Sequence, residues 1–311
     1  MAIPCTILIP TKDRPNLLKR AVKSALKAAP DNSEIIVVDD KSNPPAQIVL
    51  AEFDDQRLVV VMNEGADGAA AARNLGMKTA RGPIIFFLDD DDEILPDYCT
   101  EILDTVVQKH HDVAYGFSAY WAANKNSDTE ADDTIGNNKL PQGIIAHTAP
   151  FRRKVCGFGM GFWIRREVFA ELGPVDENLA TNEDTEYLCR LIDAGKAAWF
   201  SAKPGVRIHQ HDTETTPNEL GHVTDRTLSS DRAQSFLTIY HRYQRLMKAD
   251  KQARYHVARR YIKLSTKSGR LRESWIFAGT LPKISERTSA RYYVLVNFIV
   301  YRLSGKHSKT C

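Results

Sequence analysis

Short, continuously apolar segments alternate with helical patterns over the first 120 residues of the chain. The apolar segments predict buried strands at Thr6–Pro10, Glu34–Val38, Leu58–Met62 and Ile84–Leu88. Between them, Leu18, Val22 and Leu26 recur every four residues and predict a helix over Pro15–Ala28, and an alanine-rich segment predicts another over Ala69–Thr79. Apolar strands that alternate with helices are typical of a parallel sheet covered on both faces. We therefore expect an α/β fold, with a mainly parallel sheet flanked by helices.

The middle of the chain continues with predicted strands and helices. These are a strand over Gly161–Arg165, a helix over Arg166–Leu172, a helix over Asn182–Gly195 and one or two strands over Ala198–His211. Asn182 is the expected N-cap of the longer helix and Gly195 its stop. Two polar segments, Ala122–Lys139 and His211–Ser230, show no hydrophobic period, which predicts exposed loops.

From Asp231 onward the pattern is helical and the charge changes sign. The apolar positions lie on two helical stripes, Phe236, Tyr240, Tyr243 and Met247 on one and Val257, Tyr261 and Leu264 on the other. This region has 18 lysine and arginine residues against 4 acidic ones, a net charge of +14, whereas the preceding residues carry −11. Such a division predicts parts with different partners: a cationic or metal-assisted site in the acidic part, and phosphate of some kind for the basic part.

The cysteines and the apolar runs indicate in which cellular compartment the protein lies. Five cysteines form no C-x-x-C pair and are odd in number, which favours reduced thiols in a cytosolic protein over a disulfide framework or a zinc ribbon. Met1–Pro10 is expected to be a strand rather than a signal peptide, because it has no basic leader region. The apolar run Tyr292–Tyr301 is about half the length of a membrane-spanning helix.

Polar and acidic residues follow the predicted strands where each strand ends. The segments are Pro10-Thr11-Lys12-Asp13-Arg14, Asp39-Asp40-Lys41-Ser42, Asn63-Glu64-Gly65 and Asp89-Asp90-Asp91-Asp92-Glu93. In an open parallel sheet, ligands bind at the carboxyl ends of the strands. Four consecutive aspartates repel one another unless a cation offsets their charge, and carboxylate oxygens suit Mg²⁺ or Mn²⁺. The alternative is a solvated acidic turn at the N-terminus of a helix that begins near Pro96.

Four stretches of the sequence carry a resemblance to a known family. They are ILIPTKDRPNLLKRAVKSAL, EIIVVDDKSN, AARNLGMKTARGPIIFFLDDDDEILP and GFWIRREVFAELGPVDENLATNEDTEYLCRL. In order and spacing, over residues 3–211, they resemble the family 2 glycosyltransferases. The resemblance implies the GT-A fold over residues 1–230, with a nucleotide-binding half at 1–120 and an acceptor-binding half at 121–230. It also implies inverting transfer of a sugar from a nucleotide-sugar donor, with Mn²⁺ or Mg²⁺ as cofactor.

The resemblance assigns several residues to the donor nucleotide. Asp40, with Asp39 beside it, corresponds to the carboxylate that binds the base, and Pro10 and Thr11 correspond to the backbone that lines the base. Arg73 lies where the family often places an arginine near the nucleotide, and a salt bridge on the helix surface is the alternative. The sequence has Lys12 where the family often has an aromatic residue, so the resemblance does not carry base stacking at that position.

The same resemblance assigns the metal ligands. Asp89 and Asp91 match the two acids of the family's D-x-D signature, with Asp91 on the metal and Asp89 facing the ribose or a metal-bound water. Asp90, between them, is assigned to the donor site. His209 corresponds to a histidine that lies near the diphosphate in the family and sometimes completes the metal site. Since His209 and His211 share one face of a predicted strand, simple packing or a zinc site is the alternative.

The catalytic base is also implied by the resemblance. Inverting transfer needs a base that removes the proton of the acceptor hydroxyl as this attacks the sugar. Asp184 corresponds to the family's base and Glu183 to a neighbour that binds the acceptor, with Arg190 repeating the family's spacing. The alternative is that both carboxylates only stabilise the N-terminus of a helix.

The basic region 231–311 has no counterpart in the four stretches, and its partner is inferred from composition. Basic residues interleaved with aromatic ones on amphipathic helices suit the surface of an anionic membrane. A helical extension packed on the catalytic domain is the alternative, and no recognised nucleic-acid motif is present.

Together these features predict an inverting glycosyltransferase of bacterial surface glycan synthesis. We expect it in the cytoplasm at the inner face of the plasma membrane, with a UDP-sugar as the favoured donor and a saccharide or lipid-linked saccharide as acceptor. A sugar nucleotidyltransferase is the first alternative, although PTKDRP is not the glycine-rich loop that such enzymes need. A nucleotide-sugar-binding module without turnover is the second.

Overall fold

A computed structural model of the chain describes residues 3–123, 133–137, 139–209 and 227–303. Its strands are β1 Thr6–Thr11, β2 Glu34–Asp39, β3 Leu58–Met62, β4 Ile84–Phe87, β5 Glu93–Ile94, β6 Val113–Ala122, β7 Thr134–Gly136, β8 Gly143–Ile145, β9 Trp163–Arg165 and β10 Ala197–Ile208. Its helices are α1 Pro15–Ala28, α2 Ala46–Val49, α3 Ala69–Thr79, α4 Tyr98–Ile102, α5 Phe151–Lys154, α6 Arg166–Leu172, α7 Glu183–Asp193, α8 Ser229–Arg242, α9 Gln244–Ala249, α10 Lys251–Lys267, α11 Leu271–Thr280 and α12 Ile284–Leu303.

The described strands form one sheet in the order β3-β2-β1-β4-β9-β6-β10-β5, with β7 on β6 and β8 on β10. Strands β3, β2, β1 and β4 are parallel, and so are β6 and β10. Strand β9 is antiparallel to both β4 and β6, which joins the two parallel parts. The predicted α/β fold, with a mainly parallel sheet flanked by helices, is confirmed.

The elements around β1 form as their sequences predict. Every residue of β1 and β2 is buried, as expected of strands covered on both faces. Helix α1 begins at Pro15, whose fixed φ suits a first helical position, and turns one apolar face to the core. Helix α3 lies close to β1 at Gly76, where an added Cβ would be 2.0 Å from Leu8 Cδ1. Helix α3 thus packs directly against β1 through this glycine.

Two loop predictions need correction. The segment Ala122–Lys139 is not wholly a loop, because β7 lies within it and pairs antiparallel with β6, Ile135 opposite Trp121. Pairing with a neighbouring strand creates this element, and Ile135 is 40% exposed, so no local hydrophobic period marks it. In the second predicted loop, His211–Ser230, helix α8 begins at its penultimate residue. Residues 124–132 and 210–226 lie outside the described part of the chain.

The predicted strand or strands over Ala198–His211 are one strand, β10. Its register against β6 shifts between Ser201 and Pro204 and again between Pro204 and Val206. Proline cannot donate to a strand ladder, and a bulge accommodates it. The chain therefore stays in the sheet past an internal proline, which is why one strand replaces two.

The chain forms two compact units. The first takes in the described parts of Met1–Ala149, Arg153–Glu177 and Arg190–Gly221, and the second those of Pro150–Arg152, Asn178–Cys189 and His222–Cys311. The second unit thus includes short segments from before residue 230. The predicted division at residues 230 and 231 is not tested by this partition and stays a prediction.

The C-terminal helices pack around their own core, as the two apolar stripes predict. Phe236, Val257 and Tyr261 are buried, and the ring of Phe277 lies 4.5 Å from that of Tyr261 and 4.9 Å from that of Tyr240. Most of the predicted stripe residues therefore face protein rather than solvent. No helix in the described ranges combines the length and apolar character needed to cross a bilayer.

Candidate active site

The carboxylate of Asp39 holds the loop after β2. Its Oδ1 accepts a hydrogen bond from the Ser42 backbone nitrogen at 2.8 Å, and its Oδ2 accepts one from the Ala46 nitrogen at 2.7 Å. Asp39 is completely buried. Both oxygens therefore bind backbone, and in this structure the side chain fixes the connection from β2 to α2.

The carboxylate of Asp40 joins the ends of three strands. Its Oδ1 accepts from Asn63 Nδ2 at 2.8 Å, and its Oδ2 accepts from the Gly68 nitrogen at 2.9 Å and from Lys12 Nζ at 3.2 Å. Asp40 is buried, whereas the Lys12 side chain is 38% exposed. The structure thus places Asp40 at the carboxyl end of the sheet, and its role toward a base stays a prediction.

Three of the four consecutive aspartates lie together. One carboxylate oxygen from each of Asp89, Asp91 and Asp92 lies within 4.8 Å of the others, and in the described part of the chain this is the group that could hold a metal ion. The fourth, Asp90, instead accepts from Thr11 Oγ1 at 2.8 Å and from Arg14 Nη1 at 2.9 Å. Asp91 and Asp89 are therefore placed as a metal site requires, and Asp90 lies toward β1.

Sequence reasoning missed Asp92 as a member of this group. The Asp92 nitrogen donates to the Asp89 carbonyl at 3.1 Å, a turn that returns the fourth aspartate to the first. The D-x-D signature selects Asp89 and Asp91 alone. The run of four acids after a strand was the available signal, because a tight turn at that point brings the first and fourth residues close.

The electrostatics of the group fit a divalent cation. Burial, together with the charges of Asp91 and Asp89, raises the pKa of Asp92 well above its usual value. A bound cation would favour the ionised carboxylates, and three carboxylates are the hard oxygen ligands that Mg²⁺ and Mn²⁺ prefer. A close glycine shapes the site further, since a Cβ on Gly159 would lie 2.8 Å from Asp89 Oδ2. The residues present therefore fit a metal.

Arginines surround the same carboxylates. Arg73 Nη2 donates to Asp89 Oδ1 at 2.8 Å, and Arg14 Nη1 donates to Asp91 Oδ2 at 2.9 Å. Arg73 is buried, and its guanidinium lies 5.2 Å from the centre of the Phe158 ring. The alternative of a salt bridge on the helix surface is therefore wrong for Arg73, because the residue is buried and its salt bridge reaches Asp89 in the loop after β4. The contact of Arg73 with a nucleotide stays a prediction.

His209 meets the acidic group through its backbone. The His209 nitrogen donates to Asp92 Oδ1 at 2.9 Å, and the ring Nε2 lies 2.8 Å from Glu93 Oε2. This hydrogen bond is the main reason that the pKa of Glu93 is lowered. The structure pairs the ring with Glu93 rather than with the three aspartates, and its role as a metal ligand stays a prediction. His211 lies outside the described residues.

The proposed base lies in the second unit, in the first turn of α7. Asp184 Oδ1 accepts from the Thr185 nitrogen at 2.6 Å and from the Thr185 hydroxyl at 3.3 Å. Asn182 precedes the helix with φ at 66°, and its side-chain amide donates to the Thr181 hydroxyl at 2.7 Å. Glu183 and Asp184 are both half-buried. Their catalytic and acceptor-binding roles stay predictions.

Two neighbouring charged residues of α7 have structural partners. Glu186 is fully buried, and it accepts from Arg242 Nη1 at 2.9 Å and from the Tyr243 hydroxyl. This contact ties α7 to α8. Arg190, whose spacing repeats the family's, donates to the carbonyl of Pro174 at 2.7 Å, so it fixes the segment that precedes α7.

The sequence matches a known family and several relatives. The family described as glycosyl transferase family 2 matches residues 6–173, more than half of the chain. An uncharacterized glycosyltransferase of Haemophilus influenzae is 27% identical over 60% of this chain and 61% of the relative. The Escherichia coli UDP-Glc:alpha-D-GlcNAc-diphosphoundecaprenol beta-1,3-glucosyltransferase WfgD is 30% identical over 50% of this chain and 56% of the relative. The chain thus spans less than two thirds of the length of these relatives.

The fold matches solved structures of the S. aureus protein TarS. One has a TM-score of 0.66 at 14% identity and covers 97% of this chain and 55% of that one. Another, of residues 1–349 in complex with UDP-GlcNAc, has a TM-score of 0.61 at 15% identity and covers 98% and 92%. At this identity the likeness concerns the fold alone, and the predicted GT-A fold is confirmed. Because the family match extends over more than half of the sequence, the chain belongs to glycosyl transferase family 2.

Proposed function

We propose that the chain is an inverting glycosyltransferase that transfers a sugar from a nucleotide-sugar donor, in the first place a UDP-sugar, to a hydroxyl group. The observation that carries the proposal is the group of Asp89, Asp91 and Asp92 at the carboxyl end of β4. Parallel-sheet folds bind ligands at this edge. Family membership and the likeness to TarS in its complex with UDP-GlcNAc support a nucleotide-sugar as the ligand.

Asp89, Asp91 and Asp92 would hold Mn²⁺ or Mg²⁺, with His209 as a further candidate ligand. When bound, the cation neutralises charge on the diphosphate of the donor. Arg73 and Arg14 lie beside the same carboxylates and present guanidinium groups suited to phosphate oxygens.

The nucleoside part of the donor is assigned to the neighbouring strand ends. Asp40 and the backbone of Pro10 and Thr11 receive the base, and Asp39 and Asp90 support them by fixing the loop after β2 and the hydroxyl of Thr11. Lys12 occupies the position at which the family often has an aromatic ring. Its ammonium is partly exposed beside Asp40.

Asp184 is proposed as the base of the transfer. It takes the proton of the acceptor hydroxyl while the acceptor oxygen bonds to C1 of the sugar. The bond from C1 to the diphosphate oxygen breaks, and its electron pair leaves with the nucleoside diphosphate. Attack from the face opposite the leaving group inverts C1. Glu183, its neighbour in the first turn of α7, binds the acceptor.

The acceptor is proposed to be a saccharide or a lipid-linked saccharide of bacterial surface glycan synthesis. WfgD is named for a diphosphoundecaprenol-linked acceptor, which supports this class. We assign residues 1–230 to the transferase domain and residues 231–311 to a basic helical region that meets the inner face of the plasma membrane. The net +14 of that region supports an anionic membrane surface as partner.

A thermal-shift screen followed by a hydrolysis assay tests the proposal. UDP-, GDP- and dTDP-sugars are added with and without Mn²⁺, and a ligand that binds the folded state raises its melting temperature. We expect the largest rise for a UDP-sugar, only with Mn²⁺, together with slow hydrolysis of the same donor without acceptor. Binding without hydrolysis and without transfer to any acceptor would instead identify a binding module.

A further inference from the structure

One face of α12 is an exposed apolar stripe. Tyr292, Leu295, Ile299 and Leu303 follow one another at spacings of three or four residues and are 70%, 45%, 54% and 82% exposed. Residues at these spacings lie on one face of a helix, so the four form a continuous strip that is about 16 Å long. The helix packs through another side, where Val294 is fully buried. A contiguous apolar surface of this kind marks an interaction site.

Two arginines lie beside the stripe and rest on aromatic rings. Arg259 stacks on Tyr293, with 4.1 Å from the guanidinium to the ring centre, and Arg302 lies 5.0 Å from the centre of the Phe298 ring. Within residues 227–303, neither guanidinium is in salt-bridge distance of a carboxylate. An aromatic ring holds a guanidinium in position and leaves its positive charge unneutralised. These cations are therefore available to an anionic partner.

A cavity of about 430 Å³ opens between α10 and α12. Its lining includes Lys251, Arg254 and Arg259, together with the side chains of Tyr292 and Ser289. The Glu286 carboxylate neutralises Arg254 at 2.7 Å, so the excess charge of the cavity comes from Lys251 and Arg259. Tyr292 belongs both to the cavity and to the apolar stripe, so a cationic pocket continues directly into an apolar surface.

The chemistry of this face distinguishes between its possible occupants. A second copy of the chain would bring the same basic surface, and like charges would oppose the contact. The residues that follow Leu303 have the sequence SGKHSKTC, with two lysines and no acid, so they carry the same sign. An anionic lipid complements both features, because its phosphate suits the cations and its acyl region suits the stripe.

We propose that the stripe of α12 and the adjoining cavity form the surface that binds an anionic phospholipid bilayer. The stripe lies at the boundary between headgroups and acyl chains, and Lys251 and Arg259 bind a lipid phosphate in the cavity. The inference rests on the membrane partner of the proposed function and specifies which surface meets it.

Sedimentation of the full chain with vesicles tests this surface. Vesicles of phosphatidylcholine with phosphatidylglycerol are expected to bind the protein, and vesicles of phosphatidylcholine alone to bind it weakly. Ile299→Asp should lower the affinity for the anionic vesicles at least about tenfold, since it places a charge in the apolar strip. Arg259→Gln should lower it about fivefold, the effect of one basic residue near an anionic surface.

Matched substitutions outside the surface are the controls. Ile48 is 67% exposed on α2, and Arg166 is exposed at the start of α6. Ile48→Asp and Arg166→Gln should bind the anionic vesicles like the wild type. Added salt should release most of the protein and leave a bound fraction that Ile299→Asp lacks, because salt screens charge but not apolar insertion.

Three results would overturn the inference: wild-type binding by Ile299→Asp, an equal loss in Ile48→Asp, or equal binding to both kinds of vesicle. Unchanged binding by Arg259→Gln would overturn the phosphate site in the cavity. Thermal melting and donor hydrolysis without vesicles are measured on every variant. A wild type that binds vesicles but never hydrolyses or transfers would contradict the proposed function alone. If Ile299→Asp and Arg259→Gln lose vesicle binding but melt and hydrolyse the donor like the wild type, the result would support the proposed membrane-binding surface.

Discussion

The aspartates of the candidate metal site and Arg259 of the C-terminal helices are placed in opposite ways. Asp90, Asp91 and Asp92 are almost completely buried, and the Arg14 guanidinium contacts two of them. In the helices, by contrast, Arg259 is exposed and rests on aromatic rings. The aspartate group encloses its charge, whereas Arg259 presents its charge to solvent.

The difference indicates two kinds of partner. Buried charges interact strongly and at fixed geometry, because little water screens them, so the acidic group suits one small cation. Exposed charges act through solvent, are weakened by salt and suit a broad anionic surface. The difference supports the proposed donor site in the first unit and the proposed membrane association of the helices.

The largest effect is expected at Asp184, the proposed base in the first turn of α7. Asp184→Asn should keep the affinity for the donor and lower turnover at least about 100-fold, since a general base typically contributes that much. Steady-state transfer kinetics and donor titration on the same protein measure the two quantities.

Asp193→Asn is the matched control, because it removes a charge from the other end of the same helix. It should turn over like the wild type. Turnover within a few-fold of wild type in Asp184→Asn would place the base elsewhere, with Glu183 as the next candidate. A loss of donor affinity instead would show that Asp184 acts in donor binding rather than as the base.

The next effect is expected at the acidic group. Asp91→Asn should lower Mn²⁺-dependent donor affinity at least about tenfold while the fold survives, because it removes a metal ligand but almost no volume. Asp92→Asn should do the same if the turn that returns Asp92 to Asp89 forms the site. Calorimetric titration of the donor with and without Mn²⁺ measures both.

Asp54 is exposed, and Asp54→Asn provides the control for charge loss. It should leave the metal dependence unchanged. Unaltered metal dependence in Asp91→Asn would refute Asp91 as a ligand. An effect in Asp91→Asn but none in Asp92→Asn would restrict the site to the two acids of the signature.

The sequence could predict the acidic turn but not the partner of each aspartate. The run DDDD follows an apolar strand, so its position at the sheet edge is predictable. Which acids converge depends on a turn hydrogen bond from Asp92 to Asp89 and on Thr11 and Arg14, which draw Asp90 aside. Thr11 and Arg14 come from a distant part of the chain, and no local pattern encodes that pairing.

The fold shows the same limit. Helices α1 and α3 have the predicted bounds because periodicity, a proline start and an alanine-rich segment act locally. Strand β7 was missed because only pairing with β6 creates it. The composition of the C-terminal region predicted basic, amphipathic helices. Burial of Tyr261 and exposure of Tyr292 depend on helix packing, which composition does not contain.

A smaller effect is expected on the free energy of unfolding, from an added methyl group in the tightly packed sheet or in the C-terminal helices. A Cβ at Gly76 of α3 would lie 2.0 Å from Leu8 Cδ1, deep in the sheet, whereas one at Gly279 of α11 would lie 2.9 Å from Arg291 Nη2, the end of a flexible side chain. Gly76→Ala should lower the free energy of unfolding by about 1–3 kcal/mol through overpacking. Gly279→Ala should leave it unchanged or raise it by up to about 1 kcal/mol, since alanine favours helices.

Urea denaturation measures both changes, and Leu8→Ala provides a further test. If the clash causes the loss, Gly76→Ala should cost less in the Leu8→Ala background than in the wild type, because the space is then open. If Gly76→Ala and Gly279→Ala lower the free energy of unfolding equally, the C-terminal helices pack as rigidly as the sheet.

The smallest effect is expected from His256, a histidine of the second unit that burial keeps neutral. Burial, and then the charge of Arg260, lowers the pKa of His256 to about 3, and its ring lies 5.2 Å from that of Phe151. The folded pKa is below the unfolded value, so the unfolded chain binds the extra proton first. The contribution of neutral His256 to the free energy of unfolding is fully present above the unfolded pKa. It is lost as the pH drops toward 3. Between pH 7 and pH 6 the free energy of unfolding should fall by about 0.7 kcal/mol from this residue.

Urea denaturation at the two pH values, on the wild type and on His256→Gln, isolates this contribution. The difference in unfolding free energy between pH 7 and pH 6 should be smaller in His256→Gln, because glutamine does not titrate. His241→Gln, on an exposed position of α8, should keep the wild-type difference. An equal difference in all three proteins would mean that His256 gains its proton in the folded state. The half-buried ring of His256 would then be one more cation of the helical unit, beside Arg260.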